Sequence, residues 1–124
     1  MKTLTKLEEK LFAAKPALIR DIKRTDLYSS YDFAGVYAVF SGGKLVKIGK
    51  AGGENAKENQ LAGRIWGLTL ADSILREEMG WTLEQTEECL VRCVRVDDAL
   101  ERGRLEYYLI AKHCPPVNER ELKR

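Results

Sequence analysis

The stretch G-V-Y-A-V-F-S-G-G-K-L-V-K-I-G-K, residues 35–50, constrains this chain more than any other part of it. Two runs rich in β-branched and aromatic residues flank Gly42-Gly43, the pattern of a β-hairpin. Strand one is predicted over Gly35–Phe40 and strand two over Lys44–Lys50. A slip of one residue would turn every side chain to the other face, so register decides the core. A two-residue Gly-Gly loop pairs Ser41 with Lys44, whereas a three-residue loop, Ser41-Gly42-Gly43, pairs Phe40 with Lys44. The three-residue loop is expected, because it offers a glycine at the left-handed position such loops favour. It gathers Val36, Ala38, Phe40, Val46 and Ile48 on one core face. It also sets Tyr37 directly opposite Lys47, two polar-tipped residues where apolar ones would serve the sheet.

The remaining chain reads mainly as helices. Leu4, Leu7, Leu11 and Phe12 have helical spacing over residues 3–13, and Thr5 with Glu8 spells a capping box. A second helical piece is expected from Pro16 to about Lys23, with proline in its first turn. Residues 51–59 read as a flexible loop, followed by helices over 60–68 and 70–80 and a short acidic helix capped by Thr82. Residues 89–96, C-L-V-R-C-V-R-V, read as a third strand. Residues 97–114 form a helix capped by Asp97 or Asp98 and ended by Pro115-Pro116, with the tail fraying beyond Asn118.

A length of 124 residues favours one domain, and 44% hydrophobic residues are enough for a core. No apolar run reaches the roughly 18 residues of a membrane span, and Glu8, Glu9 and Lys10 break any signal-peptide core. Three cysteines with no export signal fit reduced thiols in the cytoplasm. Cys89, Cys93, His113 and Cys114 match no common zinc spacing closely and read as ordinary thiols and a structural histidine. Residues 1–50 carry ten basic and five acidic side chains, residues 51–88 three and eight, and residues 89–124 eight and six. If the two ends meet, a basic face results.

Five positions in order, G-V-Y at 35–37, K-I-G at 47–49, Arg64 in L-A-G-R-I-W-G, Glu106 in L-E-Y-Y-L-I-A-K-H, and Asn118, resemble the GIY-YIG nuclease superfamily. The resemblance covers about residues 33–120. Lys47 stands where the second motif has tyrosine, which is similar to the K-I-G variant of phage-type members. The resemblance implies an α+β fold, a small three-stranded, mainly antiparallel sheet flanked by helices. Residues 1–32 would be a helical extension packed on a domain at 33–120, with 121–124 as a tail. It also implies a divalent-metal-dependent endonuclease acting on double-stranded or branched DNA.

In that reading Tyr37 orients or deprotonates the attacking water. A free phenol is a poor base near neutrality, and an adjacent cation favours phenolate, so Lys47 across the hairpin would help. Arg64 would fork two donors onto phosphate oxygens. Glu106 would hold Mg²⁺ or Mn²⁺, with water and phosphate completing the shell. Asn118 would tie its loop to the site. From the residues alone, Tyr37 is equally a cross-strand aromatic, Arg64 a surface arginine, Glu106 an i,i+4 partner of Arg102, and Asn118 a turn residue. Tyr107, Tyr108, Trp66 and Trp81 are expected to pack. The rival class is a catalytically silent module of the same fold that binds nucleic acid or a protein.

Overall fold

The hairpin forms, but through the tighter of the two loops. The structure of the protein is a computed structural model that describes residues 2–23, 30–52, 61–68 and 74–122. Strand β2 (Gly35–Ser41) meets β3 (Lys44–Ala51), with Ser41 paired to Lys44 and Phe40 to Leu45. Gly42 and Gly43 both take positive φ, 58° and 81°. Two consecutive left-handed residues make the primed turn whose twist matches the strands, and a pair of glycines adopts it without steric cost. A bulge then shifts the register between Val39 and Phe40. Val46 is the extra residue, so Val39 pairs with Lys47, Ala38 with Ile48 and Tyr37 with Gly49. The expected pairing of Tyr37 with Lys47 is therefore corrected by two residues. Val46 also leaves the face assigned to it and packs with Tyr37 and Val39.

Strand β4 (Leu90–Arg95) lies antiparallel to β2 on its other side. The sheet has four strands rather than three, in the order β1-β4-β2-β3. The fourth, β1 (Ala17–Leu18), replaces the helix expected after Pro16, of which only a 3-10 turn at Ile19–Asp21 remains. The open edge of β4 supplies the reason. Ala17 and Leu18 pair with Val91 and Leu90, and the Ile19 N–H donates to the Cys89 carbonyl at 2.9 Å.

Helices cover both faces. On the Tyr37 face, α2 (Leu61–Leu68) buries Leu61, Ala62, Ile65 and Leu68 against Val39, Val46 and Val91. On the other face, Leu11 of α1 (Lys2–Ala13) and Leu105 and Leu109 of α5 (Ala99–His113) pack on Val36, Ala38, Ile48 and Val94. The hairpin is thus buried on two sides, not one. Two short helices, α3 (Ile74–Met79) and α4 (Leu83–Glu87), precede β4. Thr82 caps α4 in a full capping box with Gln85, and Asp98 caps α5 by accepting from the Glu101 N–H. The loop expected at 51–59 falls outside the described residues from 53 onward, as do the first residues of the helix expected at 70. Among the described residues no helix is long and apolar enough to cross a membrane.

The chain does not fray at Asn118. Pro116 opens a further helix, α6 (Pro116–Leu122), because proline's missing N–H costs nothing in a first turn. Glu8 also departs from its expected role. It lies within α1 and is buried, accepting from Lys112 Nζ at 2.8 Å while its second oxygen meets His113 Nε2 at 2.8 Å. Burial alone would raise the Glu8 carboxyl, but hydrogen bonds and charge from Lys112 and His113 outweigh it and hold the group below its ordinary 4.5. A depressed folded-state value gives stability that is present above about 4.5 and is lost as pH falls. Glu8→Gln is therefore expected to lower the urea midpoint at pH 7, with the gap to wild type closing below pH 4.5. A gap that stays constant with pH would mean that the carboxylate charge contributes nothing.

Candidate functional site

Parity in the hairpin decides whether Tyr37 and Lys47 can cooperate. Side chains alternate along a strand, so Tyr37 shares a face with Val39, and Val39 pairs with Lys47. Tyr37 and Lys47 are thus diagonal neighbours on one face, a separation of about 7–8 Å between backbone positions. Without the bulge, the two-residue turn would send Lys47 to the opposite face. Both residues are buried, Tyr37 at 5% exposure and Lys47 at 6%. Tyr37 can reach across β3 because its direct partner is Gly49. A β-carbon on Gly49 would stand 2.3 Å from both Cζ and Oη of the phenol. The second motif's glycine is therefore the seat of the first motif's tyrosine. Composition gave no hint of this, although a glycine inside a strand is itself a sign of close approach.

On its other side Tyr37 pairs with Cys93. Burial pushes that thiol up to about 12, so it stays protonated and sets no anion beside the phenol. Tyr31 packs against the same cluster, and burial raises its phenol as well.

Asn118 meets the same strand 70 residues away in sequence. Its Oδ1 accepts from the Ile48 N–H at 2.7 Å, and its Nδ2 donates to the Ile48 carbonyl at 2.8 Å. Strand β3 is an edge strand, so the carboxamide fills the place of a further strand at this one residue. The backbone between Lys47 and Gly49 is fixed as a result.

The other two predicted residues stand on helices that flank β3 from opposite sides of the sheet, Arg64 on the Tyr37 side and Glu106 on the Ile48 side. Arg64 is exposed on α2, beside its buried stripe of Leu61, Ile65 and Leu68. Glu106 is half-buried on α5. That helix runs antiparallel to β3. Near its start, Arg102 donates to the Gly52 carbonyl at 3.4 Å, and at its end His113 meets Phe12 edge-to-face, which in turn meets Phe40 edge-to-face. One turn beyond Arg102, about 5.4 Å, Glu106 stands further along the strand toward Ile48. Arg102 is the residue that sequence reasoning undervalued. It is buried, and its guanidinium also donates to the Val96 and Asp97 carbonyls, each at 3.0 Å, so it ties the start of α5 to the ends of both β3 and β4.

Among the described residues, no three His, Cys, Asp or Glu side chains gather as a metal cluster. A single carboxylate such as Glu106 is a hard oxygen donor that fits Mg²⁺ or Mn²⁺ retaining most of its water, and does not fit a metal caged by protein. Cys89 is buried and Cys114 exposed, and neither is in a disulfide.

Filling the seat of Tyr37 tests the local geometry. Gly49→Ala is expected to displace the phenol and to cost about 1–3 kcal/mol in urea unfolding, the range for overpacking a core. Unchanged stability would show that the ring relocates freely.

The four-stranded antiparallel sheet with helices on both faces is an α+β architecture. Its particular form is the GIY-YIG fold, and solved structures carry that statement. The magnesium-bound GIY-YIG N-terminal endonuclease domain of UvrC from Thermotoga maritima is similar at 23% identity and a TM-score of 0.54, covering 76% of this chain and 92% of that one. A tyrosine-to-phenylalanine point mutant of the same domain, bound to its catalytic divalent cation, matches at 23% and 0.54 over 76% and 91%. So does an asparagine-to-alanine point mutant, with the same figures. No family model and no curated protein matches the chain by sequence.

Proposed function

We propose that this chain is a divalent-metal-dependent endonuclease that hydrolyses phosphodiester bonds of double-stranded or branched DNA in the cytoplasm. The observation that most supports it is the meeting of Tyr37, Lys47 and Asn118 around Ile48 and Gly49 of β3, in a nuclease-type fold. In this reading the Tyr37 phenol orients the attacking water and accepts or relays its proton. Lys47 adds positive charge on the same face, where negative charge develops in the transition state. Arg64, exposed on α2, forks onto two phosphate oxygens. Asn118 positions the strand and touches no reacting atom. Glu106 would hold Mg²⁺ or Mn²⁺, which when bound supplies Lewis-acid neutralisation of the phosphate.

A plasmid nicking assay with Mg²⁺, Mn²⁺ or EDTA tests the reading. Nicking that either metal supports and EDTA abolishes is the expected result. DNA left intact with both metals would leave the silent binding module as the function of this fold.

A further inference from the structure

Two of the three large apolar side chains that stand exposed among the described residues are Leu100, at 62%, and Tyr107, at 78%. Both are on the outward face of α5, so Tyr107 does not pack as its sequence context suggests. Together they line a groove whose charged lining residues, Lys50, Arg104 and Lys112, are all cations. Lys112 is engaged by Glu8, and Arg104 has Asp98 and Glu101 on its far side. The groove floor includes Gly103, and Lys50 Nζ lies 3.7 Å from the place a β-carbon would take there. Gly103 is three residues before Glu106 on the same helix, so one end of the groove lies within a turn of the proposed metal-holding carboxylate.

We infer that this groove binds a DNA strand next to the cleavage site, with Tyr107 stacking on a base and Lys50 and Arg104 meeting the neighbouring phosphates. This rests on the endonuclease reading above. Exposed aromatic platforms interleaved with cations are how single strands are gripped without sequence preference. A partner helix would need acidic side chains placed against Lys50, Arg104 and Lys112, whereas a nucleic-acid strand carries that charge on every phosphate.

The experiment measures fluorescence anisotropy of a labelled forked duplex with single-stranded arms, in EDTA so that no strand is cut. Tyr107→Ala is expected to weaken binding roughly tenfold, the loss of one base stack, while Tyr107→Phe stays near wild type. Lys50→Gln should reduce the dependence of log affinity on log salt by about 0.7, the share of one phosphate contact on a single strand. A Tyr107→Ala affinity equal to wild type overturns the inference. So does a change of oligomeric state in that variant, seen by light scattering, with DNA affinity unaltered, because the face would then contact protein. Nicking by wild type with full affinity in Tyr107→Ala removes the groove and leaves the endonuclease standing. No nicking by wild type with a tenfold loss in Tyr107→Ala removes the endonuclease and supports the groove.

Discussion

Glu106→Gln is expected to lower Mg²⁺-dependent plasmid nicking by at least a factor of about 100, the usual loss when one electrostatic stabiliser is removed. DNA affinity measured in EDTA should hold or rise slightly. The amide keeps the shape of the carboxylate, so the half-buried position on α5 is not emptied. It removes the one negative charge proposed to hold the cation, and with it a repulsion toward phosphate. Thermal unfolding of the variant should match wild type closely. Equal nicking by both proteins would remove Glu106 from the reaction. Loss of nicking with a large drop in melting temperature would make it a packing residue instead.

Asn118→Ala is expected to be the most destabilising single change at the site. It strips partners from two backbone groups at once, the Ile48 N–H and the Ile48 carbonyl. Asn118 is 7% exposed and Ile48 fully buried, so water does not readily replace the lost bonds. Each buried group left unsatisfied costs about 1–3 kcal/mol, which gives about 2–6 kcal/mol in urea unfolding. That is a large share of the roughly 5–15 kcal/mol by which a domain is stable. Asn118→Asp gives a second readout. Its carboxylate still accepts from the Ile48 N–H but faces the Ile48 carbonyl without a proton to donate. Protonation restores the donor, so the folded-state carboxyl is raised and the variant should gain stability relative to wild type as pH falls through that raised value. A variant insensitive to pH, or an Asn118→Ala cost below about 1 kcal/mol, would mean that the strand edge is satisfied in another way.

Local signals in the sequence were reliable where the determinants lie within one turn or one strand. Thr82 caps its helix, Asp98 is the one of the two candidate aspartates that caps the next, and the strand expected at 89–96 forms over Leu90–Arg95. The same reasoning failed where a residue's partner is far along the chain. Thr5 and Glu8 have the spacing of a capping box, yet Glu8 spends its carboxylate on Lys112 and His113, more than 100 residues away. Pro116 ends one helix, as expected, and also begins the next. Tyr107 has the look of a packing residue, but its helix buries Arg102, Leu105 and Leu109 instead and turns Tyr107 outward.

The sequence by itself determined the hairpin and the later strand that pairs with it; the face that Tyr37 and Lys47 share needed the bulge as well. The expected register and the observed one put both residues on one face for different reasons: the first through a three-residue loop, the second through a two-residue turn followed by a bulge that restores the same parity. Tertiary structure decided the remainder: the bulge at Val46, the second buried face, the seat of Tyr37 on Gly49, and the clasp of Asn118 on Ile48. The reason is physical. Turn and strand preferences act over a few residues, whereas a bulge is chosen by how two helix layers pack on both sides of the sheet. The Asn118 carboxamide finds an unpaired strand edge only once α6 has docked beside β3.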